Sequence, residues 1–79
     1  MKEFMKEIDA VVENRDFGRL QELEGKIQDV INSGDFETAA QMYGTLARVY
    51  KLISDAPDTA IAADYYLIAA DLYKEAGNQ

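Results

Sequence analysis

The fold class predicted for this chain of 79 residues is all-α, an antiparallel bundle of four helices. Three features predict it. Apolar residues recur at the three- and four-residue spacing of a helix, no segment alternates in the two-residue period of a strand, and the breaks between apolar segments are short. Loops this short place successive helices antiparallel. The length allows one small domain and no more. A core of this size leaves only about 3–5 kcal/mol of net stability, so an added interface would matter energetically.

The first helix is predicted over about residues 2–13, with Phe4, Met5, Ile8, Val11 and Val12 on one side. Asn14-Arg15-Asp16 breaks it, and Asp16 is expected to cap the second helix. That helix covers about residues 17–33 with a narrow stripe of Leu20, Leu23, Ile27, Val30 and Ile31. Gly18 and Gly25 weaken it by about 1 kcal/mol each relative to Ala. At this level the first two segments could equally be one kinked rod, giving three helices. Gly34 is a natural C-terminal cap and Asp35 an N-cap. The third helix, about residues 36–53, carries Phe36, Ala39, Tyr43, Leu46, Val49, Tyr50 and Ile53 on a wide face. Ser54 to Asp58 is the clearest loop, and Pro57 suits the first turn of a helix. The fourth helix is predicted over about residues 57–76, closed by Gly77-Asn78. Narrow stripes mark the first two helices as outer, and wide ones mark the last two as central.

The fourth helix is the informative one. At about 100° per residue, Ile61, Tyr65, Ile68, Ala69, Leu72 and Ala76 form a broad stripe extended by Ala62, Tyr66 and Tyr73. The opposite side holds Ala60, Ala63, Leu67 and Ala70, with Asp64, Asp71, Lys74 and Glu75 as its charges. A helix apolar all round is normally buried on all sides, yet this one comes last in the sequence. Either another molecule covers its far side or that side forms a groove. The expected contact residues are Leu67 on a small-residue floor of Ala60, Ala63 and Ala70, with Tyr66 at the edge and Asp64 and Asp71 at the polar rim. The expected partner is protein: a second copy in a symmetric homodimer, or a helical peptide from another protein. Self-association is favoured, because a permanently uncovered apolar face is an aggregation hazard.

Composition narrows the function further. Eight basic residues against 15 acidic ones give a formal charge of −7. Nucleic acid and anionic membrane are therefore disfavoured as partners, since phosphate binding needs clustered Lys and Arg. No run of about 20 apolar residues is present to span a membrane. The charged stretch from Met1 to Glu7 has no secretory core, so a cytoplasmic location is expected. The chain has no Cys and no His, which excludes a disulfide framework and thiolate zinc sites and removes the commonest general base. Ser33, Ser54 and the threonines have no imidazole to activate them. Glu22 with Glu24, and Asp64 with Asp71 and Glu75, read as solvated strips, because oxygen-only cation sites need more converging ligands. Neither a phosphate loop nor a calcium loop occurs. The expectation is no enzyme, no cofactor and no metal.

Tyr43, Tyr50, Tyr65, Tyr66 and Tyr73 read mainly as core residues with their hydroxyls at the rim. Tyr66, at the stripe edge, is the one most expected to touch a partner. Arg48 and Lys51 form a small basic spot that could orient an acidic partner. An alternative function is an acidic regulator or decoy occupying a basic site on another protein. The spread of acids over all four helices argues against it.

Asp16-Phe17 and Asp35-Phe36 lie 19 residues apart, one helix plus one turn, which suggests stacked helical hairpins. Gly34-Asp35-Phe36-Glu37-Thr38-Ala39-Ala40 followed by Tyr43 resembles the turn and second helix of a tetratricopeptide repeat. Tyr66, Ala69, Ala70, Tyr73 and Gly77-Asn78 resemble the first helix of such a repeat and its turn. The resemblance spans Leu20 to Asn78 and has departures. The glycine turns are 43 residues apart rather than the standard 34, no Trp is present, and the expected proline is displaced to Pro57. The longer helices are closer to the helical hairpins of the soluble NSF attachment protein group, or to the three-helix microtubule-interacting-and-trafficking domain. This resemblance implies a protein- or peptide-binding scaffold, with a fourth helix lacking the solvating helix that often ends such repeats.

Overall fold

The computed structural model describes residues 2–53 and 59–77, all helical apart from two short corners. Helix α1 spans Lys2–Asn14, α2 Leu20–Asn32, α3 Phe36–Ile53 and α4 Thr59–Gly77, with a single 3-10 turn at Phe17–Arg19 ahead of α2. The first two helices are thus separate, and the chain is a bundle of four. Pro57, expected to open the fourth helix, lies outside the described residues.

The two described corners are built alike. After α1, the amide of Arg15 donates to the carbonyl of Val12 and that of Asp16 to Val11. After α2, Gly34 donates to Ile31 and Asp35 to Val30. This paired pattern uses up carbonyls that a helix end leaves open, and it needs one residue in the left-handed region. Gly34 supplies it at φ 88°, whereas the first corner uses Arg15 at φ 54°, where a Cβ is costly. Asp35 caps α3 as expected: its Oδ1 accepts from the Thr38 amide at 3.2 Å. Asp16 does not cap in that way. It precedes the 3-10 turn with no side-chain capping bond, because the chain tightens into that turn before α2 begins.

Helix α3 has 18 residues, about 27 Å at 1.5 Å per residue. Five residues separate it from α4, too few to return to its start at about 3.5 Å each, so α4 packs against it antiparallel. The ion pair between Glu7 and Lys26, 2.6 Å long, likewise joins α1 and α2 as a hairpin.

The core is Phe4, Ile8 and Val11 of α1, Leu20, Leu23 and Ile27 of α2, and Ala39, Met42, Tyr43, Leu46 and Val49 of α3, joined by Ala69 of α4. Met5 and Val12 of α1, expected inside, are exposed. Helix α3 is central, packed against α1, α2 and α4. Helix α4 is not central, contrary to its wide apolar face: its packing is almost wholly against α3, and of its described side chains only Ala62 and Ala69 are buried. With overall extents of 37 × 26 × 15 Å, the molecule is barely two helix layers thick, so a helix at its margin is covered on one side only.

Candidate functional site

Helix α4 meets α3 through a seam of Ala62, Tyr65, Ala69, Leu72 and Ala76, the buried and half-buried positions of the helix. They alternate at spacings of three and four, the repeat by which two helices interlock. Tyr65 anchors the seam. Its ring lies 5.6 Å from that of Tyr43 and 5.4 Å from that of Tyr50, both tilted. Its hydroxyl donates to Glu24 Oε2 on α2 at 2.8 Å, a tie from α4 past α3. Burial first, and then the Glu24 carboxylate, push the Tyr65 hydroxyl well above the ordinary tyrosine range. Tyr43 is raised by the same two causes in the same order.

Ile61 and Ile68, expected in the inner stripe, are exposed instead. The seam is narrower than the apolar pattern, so they fall outside it on one flank.

The residues predicted to form the contact face lie on the uncovered side. Leu67 is 65% exposed and Tyr66 44%, and Ala60, Ala63, Asp64, Ala70 and Asp71 are all exposed. Ala60, Ala63, Leu67 and Ala70 make a second row at spacings of three and four, ended by Lys74. On the helix, Asp64, Asp71 and Glu75 border this row on the flank that carries Ile61 and Ile68, while Tyr66 and Tyr73 border it on the flank that faces the α3 groove.

That inner edge opens into a groove of roughly 420 Å³. Its α4 wall is Tyr66, Ala69, Ala70 and Tyr73; its α3 wall is Ala40, Gln41, Gly44, Thr45 and Arg48. Two of the predicted residues, Tyr66 and Ala70, are thereby tied to a set on α3 that the sequence pattern did not assign to the site. The available signal was a row on α3: Ala40, Gly44 and Arg48 recur every four residues and so share a face. Tyr73, 48% exposed, was placed with the inner stripe and stands at the groove mouth instead. A second hollow of roughly 380 Å³ lies between Val12, Arg15, Phe17 and Leu52, and none of the predicted residues lines it.

The groove is apolar with one cation. Arg48 is exposed and makes no ion pair among the described residues; the same holds for Asp64 and Asp71. The ion pairs among the described residues lie on the other side of the bundle: Glu7 takes Lys26 at 2.6 Å and Arg19 at 4.0 Å, and Arg19 also meets Glu22 at 3.7 Å. Among the described residues, no group of three acidic side chains gathers as a metal site, and no buried side-chain nitrogen or oxygen lacks a partner. No described helix is long and apolar enough to cross a membrane. The arrangement offers shape, apolar surface and one positive charge, which are the means of docking. Compared with protein-family models, with curated proteins and with solved structures, the chain matches none.

Proposed function

We propose that this chain is a non-enzymatic protein-interaction module that takes up a helix along the outer row of α4 and the groove beside it. The observation carrying this reading is Leu67, 65% exposed at the middle of a row of small residues. Alanines on either side let another backbone approach closely, and the leucine supplies the apolar anchor. The resemblance to tetratricopeptide-like hairpins supports the same reading. A cytoplasmic setting, expected from the sequence, is part of the proposal.

The test is Leu67→Lys. Its circular dichroism and melting temperature should match wild type, since the side chain contributes little to the chain's own core, while self-association by sedimentation equilibrium and capture of amphipathic helical peptides should be lost. A variant that melts well below wild type as a proven monomer would mean that Leu67 is core, and the reading would fail.

A further inference from the structure

We infer that the occupant of this face is a second copy of the chain, its α4 running parallel to the first about a two-fold axis, with Arg48 of each copy paired to Asp64 of the other. The inference rests on the proposed docking role of α4 and names its partner. Its warrant is charge complementarity within one face. Arg48 lines the groove on the α3 side, and Asp64 and Asp71 lie beyond the outer row on the opposite edge. Both signs are exposed and unpaired among the described residues. A surface carrying an unmatched cation on one edge and unmatched anions on the other is complementary to itself under the right rotation.

Which rotation is a matter of geometry. Two helices related by a two-fold perpendicular to their axes run antiparallel and keep like edges together. Groove would then face groove, with the two Arg48 side chains on the same side and the acids remote from both. A two-fold along the helix axes makes them parallel and exchanges the edges, so the acidic edge of each α4 comes to the side on which the α3 groove of the other opens.

Height agrees as well. That rotation leaves each residue at its own level along the axis. Arg48 lies on α3 between Tyr43 and Tyr50, both of which touch Tyr65, so it stands at the level of Tyr65 and of its neighbour Asp64. The pair therefore forms twice without sliding one copy along the other. Between the pairs, Ala63, Leu67 and Ala70 of the two copies meet across the axis, at the three-and-four spacing that a parallel helix pair requires.

Sedimentation equilibrium over a concentration series tests this with Arg48→Glu, Asp64→Arg, their combination and Leu67→Lys. Arg48 and Asp64 are exposed, and circular dichroism should confirm unchanged helicity. The wild type is expected to dimerise, each single charge reversal to weaken dimerisation by about tenfold because two symmetric pairs turn repulsive together, and the double reversal to return it to within about threefold. Orientation is read separately. The chain has no cysteine, so Ala63→Cys should oxidise to a linked dimer when the helices are parallel. In an antiparallel pair centred on Leu67 the two thiols stand about 12 Å apart, beyond disulfide reach. A wild-type dimer lost with Leu67→Lys but indifferent to the charge reversals, or with no recovery in the double variant, overturns this inference and leaves the docking face standing. A wild type that stays monomeric throughout overturns it too, and leaves the face to a different protein.

Discussion

The unit formed by α1, α2 and α3 and the helix α4 use similar apolar residues to different ends. In the first unit, Leu20, Leu23, Ile27 and Leu46 are buried almost completely, and each contributes the roughly 1.5–3 kcal/mol expected of a covered aliphatic side chain. In α4 the covered positions are mostly alanines, while Leu67 and the two isoleucines are exposed. Of the large side chains of α4, only Tyr65 and Leu72 pack against the core; Leu67 stabilises little within the chain. The contrast separates a stripe that stabilises the chain from a second apolar row that the chain itself leaves uncovered, the row proposed above for docking.

The largest expected effect tests the contrast directly. Leu23→Ala, at a fully buried site, should cost about 2–5 kcal/mol in urea or thermal unfolding through the cavity it leaves. Leu67→Ala should stay within about 0.5 kcal/mol in the monomer. Comparable losses at both sites would erase the distinction between the two regions. Leu72 is half-buried, so its truncation should fall between them.

Next in size is the tie between the regions. Tyr65→Phe removes the bond to Glu24 and should cost about 1 kcal/mol. The raised Tyr65 ionisation also sets an alkaline limit. Folding holds the phenolic proton more tightly than the unfolded chain does, so this contribution is complete below the ordinary tyrosine value of 10.0 and is lost as pH rises beyond it. Denaturation followed between pH 8 and 11 should show wild type losing stability at the alkaline end, and Tyr65→Phe losing less.

A matched glycine pair is subtler. Gly25 lies in α2 and Gly44 in α3 at the groove wall, and an added methyl at either meets nothing within 4 Å. Each Gly→Ala change should therefore stabilise the monomer by about 0.5–1 kcal/mol. If the groove is the docking site proposed above, only Gly44→Ala should weaken association, since it fills part of the groove wall. Equal effects of both on association would remove α3 from the site.

The smallest effect belongs to Asp35. Hydrogen bonds from Thr38 hold its carboxyl below the ordinary value of 3.8. The stabilisation it gives α3 is present above that value and fades as pH falls through the lowered one. Asp35→Asn should flatten the acid end of the stability profile slightly, and leave association unchanged.

Local chemistry made much of this fold legible in the residues alone. The bounds of α3, the Gly34 corner and the Asp35 cap depend on residues within one turn of each other, so the chain itself declares them. Asp16 misled because an N-cap residue type says nothing of whether the next turn is α or 3-10. The place of α4 was half legible: its second apolar side was plain on the wheel, but an apolar helix looks the same whether buried or bare. Ile61 and Ile68 were assigned inward because the centre of a stripe depends on the neighbour that meets it. For the same reason Ala40 and Gly44 went unassigned and Arg48 was read only as part of a basic spot with Lys51, since their joining the site depends on which face of α3 receives α4.

The alanine seam between α3 and α4 has a kinetic consequence. Three alanines, a half-buried leucine and one tyrosine hold α4 almost wholly to a single neighbour, so it can separate while the core of α1, α2 and α3 stays packed. Its amides should exchange with deuterium through a partial opening well before those of α3, which require global unfolding. If a second molecule seats on α4 as proposed, that opening should be suppressed, and slower exchange at high protein concentration, confined to this helix, would record occupancy.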